Sequence, residues 1–393
     1  MRIVDVAEFY ADRGGGVKTY VDHKLKAAAE SGHEAIVLAP GPVDGEEARH
    51  GGRVVWLRSP PVPGDSRYHL FTDERRVHRA LNRLDPDIVE GSSVYGGGWF
   101  AGRWKGRAKK VLVFHQDPVA VFGHALMDRW VPQAIIDSAF TPVWAALKSL
   151  SRRYDATVVA GHWLEARLRQ RGIQNATAVP FGIDPEPFLA ARRNPELRRQ
   201  MLEEAGVPSS GFLLVTVSRH HPEKRLPTLI RAFGRIRAAF PAGLVIFGDG
   251  PWRRQVERHA AQVPGVVLKG FTSDRFALAE AVASADVLLH GSSAETYGLV
   301  VAEALCAGIP VIVPDAGGAA ELADPDVCEK YRAGDTATCT AAIKRMLSRD
   351  IAELHSRCLG RRNVVRTLRQ HFNDLFEFYS GLLGSSSKSS VAP

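Results

Sequence analysis

Two glutamates that stand eight residues apart, Glu295 and Glu303, are the strongest chemical signal in the sequence. Their segment, Ser293–Ala304, follows the apolar run Val287–Leu289 and has the pattern of a loop that opens a helix. Gly298 permits close approach of a backbone, and a helix N-terminus offers unpaired N–H groups at the positive end of its dipole. This arrangement suits a diphosphate, with the carboxylates accepting hydrogen bonds from sugar hydroxyls. The alternative is that Glu295 caps the helix and Glu303 is a solvated surface charge.

A cluster of cations follows another apolar run, Phe212–Val217. Arg219 and Lys224 lie in this loop, and the two side chains differ in how they hold an anion. Arginine binds two phosphate oxygens at once, whereas lysine supplies a point charge. Taken alone, the cluster is equally typical of a solvated loop.

Two further features, a run of glycines and a histidine, could face a ligand. Gly14–Gly16 lie between the first apolar run and the first amphipathic stretch, where glycines let a backbone approach a phosphate. His115 follows the run Val111–Phe114, at the end of a predicted strand. The alternatives are a simple tight turn for the glycines and a structural role for the histidine.

Together these motifs resemble the E-x7-E glycosyltransferases of family 4, which are retaining enzymes with the GT-B fold. The resemblance implies that Glu295 holds the donor-sugar hydroxyls, that Glu303 binds the ribose and that His115 lies close to the reacting carbon. It implies a catalytic set of His115, Glu295, Arg219 and Lys224. The donor-binding residues that it implies are Gly15, Gly16, Arg219, Lys224, Gly248, Phe271, Tyr297, Gly298, Leu299 and Glu303. Two departures stand out, since Thr296 replaces a glycine after the first glutamate and Gln116 follows His115.

The elements that must position these residues alternate between strand and helix. Buried-type strands are predicted at 3–6, 35–39, 54–57, 88–90, 111–114, 157–160 and 176–179, and again at 212–217, 244–247, 266–268, 287–289 and 311–313. A Pro- and Gly-rich linker, Pro180–Pro187, interrupts the alternation. This pattern predicts an α/β protein with two Rossmann-like, doubly wound domains that face each other across a cleft. We expect an acceptor-binding domain over 1–183, a nucleotide-sugar domain over 188–365, a helix over 366–383 that packs back on the first domain, and a disordered tail over 384–393.

The composition narrows the class of protein. The 393 residues are 45% hydrophobic and carry a formal charge of +8, a balance that suits nucleic acid, anionic lipid or a phosphorylated substrate. The N-terminus lacks the pattern of a signal peptide, and the four cysteines form no CxxC pair. We therefore expect a cytoplasmic protein that is peripheral on the inner face of the membrane if it binds lipid.

Two basic, aromatic stretches in the first half bear on the acceptor. They are Trp99–Lys110 and Val119–Leu150, and aromatic groups beside Lys and Arg suit a surface that rests on anionic membrane. The acceptor and membrane candidates are Trp99, Arg103, Trp104, Lys105, Phe122 and Trp130. The alternative, of equal weight, is that the apolar residues form core and the basic ones a solvated face.

The function expected from the resemblance is transfer of a hexosyl-type sugar from a UDP- or GDP-sugar to a lipid or glycan acceptor, without a metal or other cofactor. No DxD motif lies in a suitable loop, so the cations and the helix N-terminus would stabilise the leaving diphosphate. A sugar-nucleotide 2-epimerase is an alternative on the same fold. A nucleic-acid-binding protein is another, but it leaves Glu295 and Glu303 unexplained, so no nucleic-acid partner is expected.

Overall fold

The computed structural model describes residues 1–11, 16–114, 117, 119–124, 131 and 133–387 of the chain. Within these residues, no helix is both long and apolar enough to cross a membrane. The chain divides into two compact units. The first comprises residues 1–115, 141–180 and 368–393, and the second comprises residues 116–140 and 181–367.

The described residues form sixteen strands. They are β1 (Arg2–Val6), β2 (Glu34–Gly41), β3 (Gly45–Arg49), β4 (Gly52–Arg58), β5 (Pro61–Val62), β6 (Asp65–His69), β7 (Ile88–Gly91), β8 (Lys109–Phe114), β9 (Ala156–Val159), β10 (Ala176–Ala178), β11 (Phe212–Val217), β12 (Ala242–Phe247), β13 (Val266–Leu268), β14 (Val287–Leu289), β15 (Val311–Pro314) and β16 (Cys328–Tyr331).

The helices lie between and after these strands. They are α1 (Gly16–Glu30), α2 (Glu74–Leu84), α3 (Gly96–Arg103), α4 (Gln133–Ala139), α5 (Thr141–Ser151), α6 (His162–Gln170), α7 (Glu186–Ala190), α8 (Pro195–Glu204), α9 (Leu226–Ile236), α10 (Arg253–Ala260), α11 (Arg275–Ala283), α12 (Leu299–Cys306), α13 (Gly318–Glu321), α14 (Thr336–Leu347), α15 (Ile351–Arg361) and α16 (Leu368–Ser387). A π-helical turn covers Val119–His124, and 3-10 turns cover Pro222–Lys224 and Arg362–Val364.

The first unit is built on an eight-stranded sheet in the order β10-β9-β8-β7-β1-β2-β4-β3. All of its strand pairs are parallel except that of β3 with β4. Its central strands are almost wholly buried, because helices cover both faces of such a sheet. The small antiparallel ribbon β5–β6 lies outside this sheet.

The second unit is built on a six-stranded, fully parallel sheet in the order β13-β12-β11-β14-β15-β16. This is the strand order of a dinucleotide-binding sheet, and it reverses direction between β11 and β14. Ligands of such sheets bind outside the carboxyl ends of the strands at this reversal point. The prediction of two doubly wound, Rossmann-like sheets is confirmed.

Helix α16 completes the first unit with both apolar and polar contacts. The ring of Phe372 on α16 lies 5.3 Å from that of Tyr20 on α1. Tyr379 donates a hydrogen bond to the Glu90 carboxylate at 2.7 Å, and Lys24 pairs with both Glu90 and Asp5. This network is buried and fully paired, which is the condition under which buried charges are tolerated.

Two features depart from the sequence prediction. The described residues between 117 and 140, expected in the first domain, group with the second unit. The prediction took only the Pro- and Gly-rich linker Pro180–Pro187 as a domain boundary. A segment within the first domain's sequence that groups with the second unit has no such linker, and it was therefore not recognised. Helix α16 extends to Ser387, so residues 384–387 of the expected disordered tail are helical. Serine is only mildly unfavourable in a helix, and the preceding turns support these residues.

Candidate functional site

The carboxyl end of β11 is packed tightly against the turn that follows β12. Gly248 has a φ of 126°, and a Cβ there would lie 2.0 Å from the carbonyl oxygen of Ser218. The backbone N–H of His220 donates to the carbonyl of Asp249 at 2.9 Å. Only glycine permits this contact at position 248, so the loop carrying the predicted cations is fixed by the fold.

Lys224 and Glu295 meet at the reversal point of the second sheet. Lys224 lies seven residues after the end of β11, in the turn Pro222–Lys224, and Glu295 lies six residues after the end of β14. The Nζ of Lys224 donates to Oε1 of Glu295 at 2.7 Å, and both side chains are mostly buried. The structure therefore brings together the two loops that sequence reasoning selected separately.

Lys224 and Glu295 each stabilise the charged form of the other. Burial raises the pKa of Glu295, but the charges of Lys224 and His290 outweigh it and hold that pKa below the usual value. Burial lowers the pKa of Lys224, and the charges of Glu295 and Glu223 reverse the effect and leave it raised. Both groups are thus charged at neutral pH, which leaves an ammonium and a carboxylate ready to bind a ligand.

The N-terminus of α12 lies beside this pair. Gly298 precedes the helix with a φ of 97°, and a Cβ there would lie 2.9 Å from Cα of Ala319. Gly317 and Gly318 pack against the same loop, and the N–H of Gly318 donates to the carbonyl of Glu295 at 2.7 Å. Three glycines therefore hold Glu295 next to a helix N-terminus, where N–H groups and the helix dipole favour an anion.

Glu303 lies on the second turn of α12 and is 8% exposed. Its Oε1 accepts a hydrogen bond from Arg275 at 2.7 Å, and the same guanidinium lies 5.1 Å from the centre of the Phe188 ring. Burial raises the pKa of Glu303, and the charge of Arg275 only partly opposes this. The glutamate is therefore not a solvated surface charge.

The other predicted donor residues of this unit differ in exposure. Arg219 is exposed and lies two residues after the end of β11. Phe271 is 76% exposed in the loop after β13, where its apolar ring is free to stack on a planar ligand. Leu299, the first residue of α12, is also exposed, whereas Tyr297 is buried with its ring 6.3 Å from that of Phe181.

The predicted residues of the first half are only partly described. His115 and Gly15 lie outside the described residues. Gly16 is the first residue of α1 and is exposed.

The basic, aromatic stretch of the first unit is mainly an internal structure. Trp104 is 6% exposed and donates to Oδ1 of Asn82 at 2.7 Å, so the expectation of a surface tryptophan here is wrong. Arg103 binds both carboxylate oxygens of Glu74, at 2.7 and 3.0 Å, and lies 6.0 Å from the centre of the half-buried Trp99 ring. An indole packs better in a core when its N–H has an acceptor, which Asn82 supplies.

The remaining membrane candidates give a mixed result. Lys105 is exposed. The side chain of Phe122 and all of Trp130 lie outside the described residues. In the second basic, aromatic stretch, Ile136 and Trp144 are buried while Ile135 is 59% exposed.

Sequence reasoning missed three parts of this site. His290, directly after β14, has its Nε2 3.5 Å from Oε2 of Glu295. Its position at the end of a strand was a usable signal, the same one that selected His115. The pair Gly317-Gly318 after β15 was likewise visible in the sequence, but nothing in the spacing of Arg275 indicates its contact with Glu303.

Comparison with known families decides whether the chain is a glycosyltransferase, a sugar-nucleotide 2-epimerase or a nucleic-acid-binding protein. Residues 14–187 match the profile described as Glycosyltransferase Family 4, and residues 211–349 match the one described as Glycosyl transferases group 1. The chain belongs to glycosyltransferase family 4. It is therefore an enzyme that transfers a sugar, and the family predicted from its motifs is confirmed.

Curated relatives of this glycosyltransferase cover nearly its whole length. It is 31% identical over 372 residues to a GDP-mannose-dependent alpha-(1-6)-phosphatidylinositol dimannoside mannosyltransferase of Mycobacterium tuberculosis, with 93% of this chain and 92% of the relative aligned. It is 34% identical over 336 residues to a GDP-mannose-dependent alpha-mannosyltransferase of the same species, with 83% and 82% aligned.

Solved structures establish the fold. Sucrose-phosphate synthase from Thermosynechococcus elongatus superposes with a TM-score of 0.72 at 18% identity and covers 98% of this chain and 100% of its own. The Anabaena protein HepE in complex with UDP gives a TM-score of 0.70 at 16% identity, with 97% and 99% covered. The glycosyltransferase has the GT-B fold, as predicted.

Within the described residues, no three His, Cys, Asp or Glu side chains are grouped as a metal site would require. The expectation that the glycosyltransferase needs no metal stays a prediction.

Proposed function

We propose that this glycosyltransferase transfers mannose from GDP-mannose to a lipid-linked acceptor, with retention of the anomeric configuration. The observation that carries the proposal is the buried contact between Lys224 and Glu295 at the reversal point of the second sheet. It supports the proposal because a cation suited to a diphosphate and a carboxylate suited to sugar hydroxyls lie within one hydrogen bond of each other.

The choice of donor and acceptor rests on the relatives. Three of the curated relatives that are at least 30% identical are described as GDP-mannose-dependent mannosyltransferases, and one of these acts on a phosphatidylinositol dimannoside. A more distant relative, at 25% identity, is an alpha-monoglucosyldiacylglycerol synthase from Acholeplasma laidlawii. Lipid acceptors thus recur among proteins that align with most of this chain.

Each residue of the second unit then has a role set by its chemistry. Arg219 and Lys224 bind the diphosphate, one with a planar fork of donors and the other with a point charge. Glu295 accepts hydrogen bonds from mannose hydroxyls, and Glu303 accepts them from the ribose. The exposed ring of Phe271 contacts the guanine base.

The reaction breaks the bond between the anomeric carbon and the diphosphate oxygen and forms a bond from that carbon to the acceptor oxygen on the same face. The acceptor proton passes to the departing phosphate oxygen. Negative charge grows on the diphosphate as it leaves, and Lys224, Arg219 and the N-terminus of α12 stabilise this charge where it develops.

The direct test is nucleotide release from a panel of UDP-, GDP- and ADP-sugars, with and without phosphatidylinositol mannosides as acceptor. We expect GDP release from GDP-mannose, accelerated by the acceptor, and an α-linked mannosyl product. Glu295→Gln and Lys224→Ala should each lower kcat/KM by about 100-fold or more, since each removes a charge-assisted contact in the transition state.

Two matched variants control for nonspecific effects. Glu203→Gln and Lys344→Ala change exposed residues of the same unit and should leave the rate unchanged. Release from a UDP- or ADP-sugar alone would contradict the proposed donor. Isomerisation of the nucleotide sugar without transfer would instead favour a 2-epimerase.

We also propose that the enzyme associates peripherally with anionic membrane, where a lipid-linked acceptor resides. The formal charge of +8 supports attraction to an anionic surface. The exposed Lys105 and Ile135 are candidates for this contact, whereas the buried Trp104 is not.

A further inference from the structure

His290 is a buried polar residue at the centre of the donor site whose ring is incompletely bonded. Its backbone is fixed on both sides, since its N–H donates to Ile312 at 2.8 Å and its carbonyl accepts from the Tyr331 hydroxyl at 2.8 Å. Its side chain is 3% exposed, and its Nε2 makes no hydrogen bond with the described residues. An unsatisfied buried nitrogen is costly, so it is expected to gain a partner in some functional state.

An acceptor close to this nitrogen is the predicted sugar-binding carboxylate, Glu295. Nε2 of His290 lies 3.5 Å from Oε2 of Glu295, beyond the usual hydrogen-bond distance. The other oxygen, Oε1, is held by Lys224 at 2.7 Å. A movement of the carboxylate by about 0.5 Å would bring Nε2 and Oε2 into hydrogen-bond range.

Lys224 cannot bind Glu295 and a donor diphosphate equally strongly. In the proposed function its ammonium binds the donor diphosphate, which carries more charge than a single carboxylate and draws Nζ away from Glu295. The buried Glu295 would then lose its closest cation while it must hold the sugar in one orientation. His290 is the neighbouring donor that remains.

We propose that His290 is a positioning residue whose Nε2–H hydrogen-bonds to Oε2 of Glu295 when the nucleotide sugar is bound, leaving Oε1 to accept from the sugar. This inference rests on the proposed function, because it requires Lys224 to engage the diphosphate.

Two substitutions distinguish which ring nitrogen acts. In His290→Gln the amide nitrogen stands near the position of Nε2, and in His290→Asn it stands near that of Nδ1. We expect His290→Asn to lower kcat by about 10- to 100-fold, the loss of one hydrogen bond to a charged group, and His290→Gln to recover most of it. The affinity for GDP alone should change less than twofold in both, since GDP carries no sugar for Glu295 to hold.

A double-mutant cycle separates positioning from a structural role. In a Glu295→Gln background, His290→Asn should have little further effect on kcat, because the residue acts through that carboxylate. Additive losses, or equal losses in His290→Asn and His290→Gln with lowered GDP affinity, would overturn the inference. This double-mutant cycle requires that the unmodified protein transfers sugar at a measurable rate. Absence of transfer in the unmodified protein would contradict the proposed function instead.

Discussion

At the scale of single residues, Glu303 shows a conflict between stability and binding. It is nearly buried, and its cation partner Arg275 is half-exposed, so water weakens the attraction between them. Burial therefore prevails and the pKa of Glu303 is raised. Burial of this carboxylate costs stability. Glu303 is therefore a candidate for ligand binding, because buried groups with a shifted pKa cluster at functional sites.

This conflict predicts opposite effects of Glu303→Gln on the two properties. The folded pKa lies above the unfolded value, so the unmodified protein loses stability as pH rises from about 4.5 through the folded pKa. The variant lacks this loss, and its free energy of unfolding at pH 7.5 should equal or exceed that of the unmodified protein by up to about 1 kcal/mol. Affinity for GDP should fall about tenfold, because a neutral amide is a weaker acceptor for a ribose hydroxyl.

Urea unfolding at pH 5 and 7.5 and calorimetric GDP titration provide the two measurements. Glu203→Gln, in an exposed pair with Arg199, is the matched control and should change neither. A variant that is destabilised at pH 7.5 with unchanged GDP affinity would show that Glu303 is structural.

Site residues could be predicted from the sequence where charged side chains have an unusual spacing or follow a predicted strand. Glu295, Glu303 and Lys224 were found because they stand in short segments next to predicted strand ends. Arg275 was not, because its importance arises from a distance across the fold, 2.7 Å to Glu303. Local pattern carries no information on such contacts.

At the scale of elements, buried strands were predicted and exposed ones were missed. Strand β1 is apolar and buried, as its sequence indicates, whereas β3 consists of Gly45–Arg49 with exposed or half-exposed side chains. That edge strand exists because it pairs with β4, and nothing in its own residues favours a strand. Strand β16, with two polar residues among four, was missed for the same reason.

The loop that carries Glu295 depends on a close backbone contact at Gly318. A Cβ at this position would lie 2.4 Å from the carbonyl carbon of Thr296 and the nitrogen of Tyr297. Gly318→Ala should therefore displace the loop, lower the free energy of unfolding by about 1–3 kcal/mol and reduce kcat/KM by more than about tenfold. Thermal unfolding and nucleotide release measure the two effects.

Gly360→Ala is the matched control for that substitution. Gly360 lies in α15 and a Cβ there meets no atom within 4 Å, so alanine should stabilise the helix by about 0.5–1 kcal/mol and leave activity unchanged. Full activity in Gly318→Ala would show that the loop position does not depend on this contact.

At the scale of the whole molecule, the second unit is assembled from two segments of the chain and the first from three. The C-terminal helix α16 returns to the first unit, where it buries Phe372, Phe376 and Tyr379. Hydrophobic periodicity predicts that such a helix exists and has a buried face. The unit to which the described residues between 117 and 140 belong is set by contacts between distant segments, which periodicity does not encode.

Net charge is also a property of the whole chain, and it bears on the proposed membrane association. With a formal charge of +8, the protein should float with anionic vesicles at low salt. Salt near 0.5 M should weaken the binding, since the screening length falls to about 4 Å. Vesicles of neutral lipid should not bind. Flotation of the purified protein with phosphatidylinositol-containing and phosphatidylcholine vesicles measures each case.

A second comparison separates charge from insertion of apolar groups. Ile135 is 59% exposed and Val143 is 37% exposed, and both lie in the second basic, aromatic stretch, Val119–Leu150. If these side chains enter the lipid, Ile135→Asp should lower the bound fraction at high salt as well as at low salt, because each buried apolar side chain contributes about 1.5–3 kcal/mol. An unchanged fraction would mean that charge alone binds the vesicle, and the absence of binding to anionic vesicles at low salt would contradict membrane association altogether.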